Sequence, residues 1–227
     1  MVLFKILKTT TMNLKYYNTT WFVITILVIS IPIDYVSNYL EDWIMKKWML
    51  KDIYKYLSTF STISLLTFSI SFINSFLWKV KLSEYRLFKW LVDIPNLNGR
   101  YEGILESSFP NSVTNENTKK KCVIEIVQNA SKITINSYYA NVDGTETSKS
   151  ESFSEEIIKK NDGFYDLYYF FKNNANTLSK GLSNHLGACK LTFYPEDKEL
   201  RGEYYNDRLC KGNISVKFKS KKIKGKY

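Results

Sequence analysis

The chain has 227 residues, 44% hydrophobic and 16% aromatic, with a formal net charge of +10. That length allows one domain plus a membrane segment, or two small domains. The charge does not mark a nucleic-acid binder: it divides into +5 before residue 96 and +5 after, and Lys217, Lys219, Lys221, Lys222, Lys224 and Lys226 crowd the extreme tail. Without that tail the second half is close to neutral, and a basic tail with basic helix ends suits an anionic lipid leaflet better than a duplex.

Long apolar runs fall almost entirely before residue 80, and polar–apolar alternation dominates after residue 95. The first run is uncharged from Tyr16 to Ile33, centred on Trp21-Phe-Val-Ile-Thr-Ile-Leu-Val-Ile-Ser-Ile, and resumes after Asp34 through Leu40. It is too long for a signal peptide, and no small-residue cleavage site follows it. The second run, Tyr56 to Trp78, has 23 uncharged residues. At ~1.5 Å per residue it reaches about 35 Å, enough for a hydrocarbon core of about 30 Å.

Aromatics including Trp21, Tyr39, Trp43, Trp48, Tyr54 and Trp78 edge both runs, like an interfacial belt. A two-helix transmembrane region over 1–92 follows, with helices near 19–40 and 55–78. Asp34, late in its segment behind Pro32, reads as a helix-end acid near the headgroups. The Ser/Thr series of the second helix suits close helix packing. Seven Lys/Arg on the outer flanks (Lys5, Lys8, Lys15, Lys79, Lys81, Arg86, Lys89) exceed four in the connection (Lys46, Lys47, Lys51, Lys55), so both termini are expected inside.

Asp93-Ile-Pro95-Asn-Leu-Asn-Gly99 separates the halves. Strand-like runs then recur near 100–109, 120–128, 132–141, 146–154, 164–172, 185–194, 199–206 and 210–219. Cys122, Ile124 and Ile126 alternate with Lys121 and Glu125 at the period of half-buried strands. Pro110-Asn111-Ser112, Asn129-Ala-Ser131, Asp143-Gly144, Asn161-Asp162-Gly163 and Pro195-Glu-Asp197 supply turns, and Ser154 to Lys160 is open to a helical turn. The expected fold is therefore an N-terminal α-helical transmembrane hairpin followed, over 93–227, by an all-β, eight-stranded antiparallel barrel. An open sandwich is the alternative.

The chemistry excluded is broad. Cys122, Cys189 and Cys210 are widely spaced, His185 is the single histidine, and no CxxC exists, so no metal site is expected. The cysteines read as small core residues in a reducing setting. No P-loop, GxSxG or HExxH is present, Glu155/Glu156 read as solvated carboxylates, and His185 reads as structural. No cofactor and no catalysis are expected. Binding is: Asn98-Gly-Arg-Tyr101-Glu-Gly103, His185-Leu-Gly187 and Leu200 through Gly212 combine glycines with aromatics and cations. Tyr204, Asn206 and Arg208 share one face by period two, where aromatic faces stack on bases and Arg pairs with phosphate. A one-residue slip would favour Arg201 or Lys190 instead.

The order of parts, with Pro95-Asn-Leu-Asn-Gly99-Arg-Tyr101-Glu-Gly103, Tyr168-Tyr-Phe-Phe-Lys-Asn173, His185-Leu-Gly187 and Leu200-Arg-Gly202-Glu-Tyr204, resembles the two-transmembrane, β-strand-rich effectors of bacterial anti-phage cyclic-oligonucleotide signalling (the Cap15 type, CBASS). Tyr101 departs from that pattern, standing where a tryptophan is common. The resemblance implies a lipocalin-like barrel, cytosolic at the bacterial inner membrane, that binds a cyclic dinucleotide made by a functionally linked nucleotidyltransferase. Self-association and disruption of membrane lipid by the helices would follow, with no DNA or RNA partner. Together with the face above, it makes Tyr101, Tyr169, Thr192, Tyr204, Asn206 and Arg208 the candidate ligand contacts. A membrane-tethered carrier or sensor of an apolar ligand and an assembly factor that docks a partner are the alternatives.

Overall fold

The computed structural model describes residues 14–48, 51–82, 85–110, 116–176 and 183–227, with the side chains of 40–41, 44–48, 51–61, 82 and 85 outside that description. The chain forms two compact units: 1–93 with 129–132, and 94–128 with 133–227. Of the sequence expectations, Lys5, Lys8 and the turn at Asn111-Ser112 fall outside the described residues.

The first unit carries α1 (Thr19–Trp48) and α2 (Lys51–Ser75), then a 3-10 turn (Leu77–Lys79) and a small ladder of β1 (Lys81–Leu82) with β2 (Tyr85–Arg86). No Gly or Pro follows Leu40 to break α1, so it runs through Lys46 and Lys47, which belong to the helix rather than to a connecting loop. Within α1, Thr19–Tyr39 is long and apolar enough to cross a membrane, and among the described residues no other helix meets that standard. Pro32 sits inside this helix, and Asp34 Oδ2 accepts from Asn38 Nδ2 at 3.4 Å. Ser37 is buried and accepts from the Thr62 hydroxyl at 3.1 Å, a small-residue contact of the kind expected between the helices.

α2 stops at Ser75, short of the expected Trp78. Trp78 is fully buried rather than interfacial, with the Arg86 guanidinium 5.5 Å over its ring. Arg86 also donates to the Trp78 and Val92 carbonyls at 3.1 and 2.9 Å, a fixing role its charge count did not foretell. Asn74 Oδ1 accepts from Tyr17 (3.2 Å) and Ser131 (2.7 Å), and its carbonyl accepts from Ala130 N–H (3.1 Å).

The second unit is a closed barrel of β3 (Gly99–Pro110), β4 (Asn117–Gln128), β5 (Ile133–Ala140), β6 (Glu146–Lys159), β7 (Tyr165–Ala175), β8 (His185–Tyr194), β9 (Glu199–Asn206) and β10 (Lys211–Ser220). Each strand pairs antiparallel with the next, and β10 closes onto β3 through Val216↔Gly103 and Phe218↔Tyr101. Closure removes every sheet edge and excludes the open sandwich. The period-two set Ile124, Ile126, Leu167, Leu191, Leu200 and Val216 forms the interior, all nearly inaccessible.

Of the segment Ser154 to Lys160, all but the last residue is strand, not a helical turn. A bulge at Phe153 shifts the β6–β7 register, and this resets the alternation that made the sequence ambiguous. Glycines serve packing: a Cβ on Gly103 would lie 2.0 Å from the Ser215 carbonyl, and one on Gly187 2.4 Å from the Phe171 ring.

The C-terminal tail folds back over the outer wall. Arg100 is 3% exposed and pairs with Glu102 (2.6 Å) and Glu125 (2.9 Å), while its Nη1 also donates to the Lys226 carbonyl at 2.6 Å. Lys224 and Gly225 N–H donate to the Glu125 carboxylate at 2.8 and 3.0 Å, and Tyr227 N–H reaches Glu146 at 3.2 Å. The tail lysines keep exposed side chains, but their backbone is held.

Candidate functional site at the barrel mouth

At the end of the barrel opposite Gly99 lies a cavity of about 90 Å³. It is built by the inward parity of successive strands. β3 brings Leu105, Ser107 and Phe109, and β4 brings Thr118 and Lys120. Tyr139 of β5, Ser148 of β6, and Phe171 with Asn173 of β7 continue the wall. His185 opens β8, Tyr204 and Asn206 end β9, and Arg208 and Cys210 come from the turn into β10.

The lining mixes apolar and aromatic faces with ordered polar groups. Tyr204 donates to Ser107 Oγ at 2.6 Å, and Ser150 Oγ lies 3.3 Å from the Tyr139 hydroxyl. Asn206 Oδ1 accepts from Arg208 and Cys210 N–H at 3.2 and 3.0 Å, so its side chain builds the turn that presents Arg208. The Arg208 guanidinium stands 5.7 Å over the Phe109 ring. Lys120 Nζ donates to Thr147 Oγ1 at 3.3 Å. The His185 ring meets Phe171 edge-on at 6.4 Å, with its Nδ1 3.1 Å from the Ser183 carbonyl.

Lys120, Arg208 and His185 line the cavity, and among the described residues no Asp or Glu does. The Lys120 ammonium is held below the usual lysine range, first by burial and then by repulsion from Arg208. Burial raises the Tyr139 and Tyr204 hydroxyls, so both remain protonated donors. Such a mouth offers cations, hydroxyls, a carboxamide and aromatic faces, the set that holds an anion bearing flat, hydrogen-bonding groups. Among the described residues no group of three or more His, Cys, Asp or Glu could hold a metal ion.

Of the six candidate contacts, Tyr204, Asn206 and Arg208 meet in the cavity. Tyr204 and Asn206 share the inward face of β9 as the alternation implied, whereas Arg208 lies past the end of that strand and reaches the cavity from the turn rather than by strand parity. Arg201 and Lys190 face outward to Glu199 and Asp166. The other three lie elsewhere. Tyr101 is enclosed toward the opposite end, donating to the Leu97 carbonyl at 3.1 Å with its ring against Phe218 at 5.5 Å. Tyr169 lies one inward step below Phe171, and its buried hydroxyl has at most a weak partner, the Cys189 thiol beside it. Thr192 faces the outer wall, because Leu191 and Phe193 take the inward parity there, and donates to Asp166 Oδ1 at 2.7 Å.

Sequence reasoning missed Lys120 and Asn173 and read His185 as structural. The signal was available for the first: Lys120 is in phase with Cys122, Ile124 and Ile126, so a lysine was aimed inward.

A family model of the Cap15 cyclic dinucleotide receptor domain matches residues 92–219. The chain belongs to the Cap15 cyclic dinucleotide receptor family. No curated protein matches the chain significantly. The Cap15 receptor domain takes in all eight strands and the cavity, and its match ends at Lys219, before the tail that covers Arg100 and Glu125.

Proposed function

We propose that the protein is a membrane-anchored anti-phage effector whose barrel captures a cyclic dinucleotide at its mouth and whose helices carry out the response. The carrying observation is a cavity lined by two cations, Lys120 and Arg208, together with aromatic rings, and, among the described residues, by no carboxylate. A phosphodiester seated there relieves both the burial of Lys120 and its repulsion from Arg208. A cavity of about 90 Å³ takes a base or a phosphodiester and leaves the rest of the ligand across the mouth. The mouth has apolar faces as an apolar-ligand carrier would, but Lys120, Asn173 and Arg208 among its lining favour a ligand that also brings negative charge and hydrogen-bonding groups.

In this reading the barrel is a receptor and not an enzyme. Both helices span the bacterial inner membrane, with both termini and the barrel on the cytosolic side. A functionally linked nucleotidyltransferase supplies the ligand, and ligand-driven self-association lets the helices disrupt the lipid. Exposed Trp21, Leu27, Ile31, Tyr35 and Tyr39 along α1 support a lipid-facing surface. Calorimetric titration of the full chain in detergent with cyclic di-AMP and cyclic di-GMP tests the capture step. Dye release from anionic liposomes carrying the full chain tests the response. Binding without release would keep the receptor and discard the effector. No binding of either ligand would overturn the receptor reading.

A further inference from the structure

The mouth is chemically two-sided. In the closed strand order β7 and β8 stand four places from β3 and β4, and so across the barrel from them. Lys120 comes from β4, and Arg208 lies over Phe109 of β3. That side takes negative charge. The facing wall carries Phe171, His185 and Asn173, with Asn173 and His185 paired in register and Gly187 leaving room for the Phe171 ring.

Asn173 is 4% exposed yet lines the cavity. Among the described residues its side chain has one contact, Ser150 Oγ to Oδ1 at 3.5 Å, and the same hydroxyl has a nearer acceptor in Tyr139 at 3.3 Å. A carboxamide offers two donors and an acceptor, and one long contact leaves hydrogen-bonding capacity facing the cavity for a ligand to engage.

We infer that Asn173 reads the edge of one ligand base and selects adenine over guanine, an assignment that rests on the receptor reading above. Adenine presents a ring-nitrogen acceptor beside its 6-amino donor, which a carboxamide matches with one donor and one acceptor. On the N7 edge, where adenine shows its ring nitrogen beside the 6-amino group, guanine presents two adjacent acceptors, N7 and O6, which suit a two-donor cation instead, so the selection is a reading of that edge. The Phe171 and His185 rings supply the flat surface on which the base lies.

The test is calorimetric titration of the full chain in detergent with cyclic di-AMP, cyclic di-GMP, and the analogue carrying purine, without the 6-amino group, in place of adenine. Wild type should prefer cyclic di-AMP to cyclic di-GMP. Asn173→Ala should lose about tenfold or more for cyclic di-AMP while holding cyclic di-GMP within about twofold. The purine analogue should bind wild type about tenfold more weakly than cyclic di-AMP and bind the variant no worse than cyclic di-AMP does, the signature of one shared contact. An unchanged ligand ranking in a variant that melts like wild type overturns the assignment, as does a wild-type preference for guanine. Should Asn173→Ala fail to fold, the analogue on wild type decides alone: equal affinity for purine and adenine overturns it. Absence of all binding to wild type would instead overturn the receptor reading beneath it.

Discussion

Arg100 and Lys120 belong to neighbouring strands of one barrel, the first buried and the second half-buried, on opposite faces. On the outer wall, Arg100 is covered by the tail together with two carboxylates, and Glu125 receives two backbone N–H groups as well. Burial works against both charges there, but the mutual pairing outweighs it: Arg100 is held above its ordinary range and Glu125 below its own. In the mouth, burial and Arg208 both act against the Lys120 charge. One enclosed cation is satisfied by the chain itself; the other becomes comfortable only when an anion arrives. The first arrangement fixes structure, and the second is suited to recognition.

The two cations should therefore fail differently. Arg100→Ala leaves Glu125 enclosed without its counter-charge. Because a single layer of tail covers it and can lift, the loss in stability should be about 2–4 kcal/mol, below the upper range for deep pairs. Thermal melting of the full chain reads this, while affinity for cyclic di-AMP should stay within about twofold. Lys120→Met keeps the volume and removes the charge. It should weaken cyclic di-AMP by about thirtyfold, the low end of what truncating an enclosed charge partner costs, with no fall in melting temperature. A Lys120 variant that lost stability and kept affinity would invert the comparison.

The fold was legible because its periodicities are regular. Alternation through Cys122, Ile124 and Ile126 and turn residues such as Asp143-Gly144 mark the strands to within a few residues. Where a local event breaks the rhythm the sequence misleads, as at the Phe153 bulge. The site was half legible. Parity placed Tyr204 and Asn206 together, while Arg208 joins them from the turn that Asn206 builds, and parity cannot tell at which level along a strand an inward residue sits. Tyr101 and Tyr169 thus read like Tyr204 although only Tyr204 reaches the cavity. The tail's attachment was hidden altogether, since backbone N–H groups make it and no side-chain pattern records them.

A smaller effect separates the tail from the mouth by pH. Glu125 titrates in the folded state below its ordinary value of 4.5, so its contribution is fully present above that value and is lost as pH falls through the depressed one. Protection factors for the Lys224 and Gly225 amides should be high at pH 6 and collapse toward pH 3. Lys120 runs the other way. Its free-state value is depressed and an anion raises it, so binding takes up a proton and affinity declines as pH climbs through the alkaline range. A tail that stayed protected at pH 3 would show that packing, not the Glu125 charge, holds it.

The smallest expected effect concerns Tyr169, where the interior is neither satisfied like Arg100 nor poised in the cavity like Lys120. Its hydroxyl is enclosed without a hydrogen-bond partner, beside the Cys189 thiol that burial pushes up to about 12. A neutral thiol is a weak partner. Removing the hydroxyl therefore removes an unmet polar group, and Tyr169→Phe should leave stability unchanged or raise it by up to about 1 kcal/mol. Because Phe171 lies between Tyr169 and the cavity along β7, affinity for cyclic di-AMP should not move. Thermal melting and titration of the same variant check both halves. A tenfold loss of affinity with an unchanged melt would mean that the ligand reaches one layer deeper than the empty cavity does, with the orphaned hydroxyl finding its partner on the ligand.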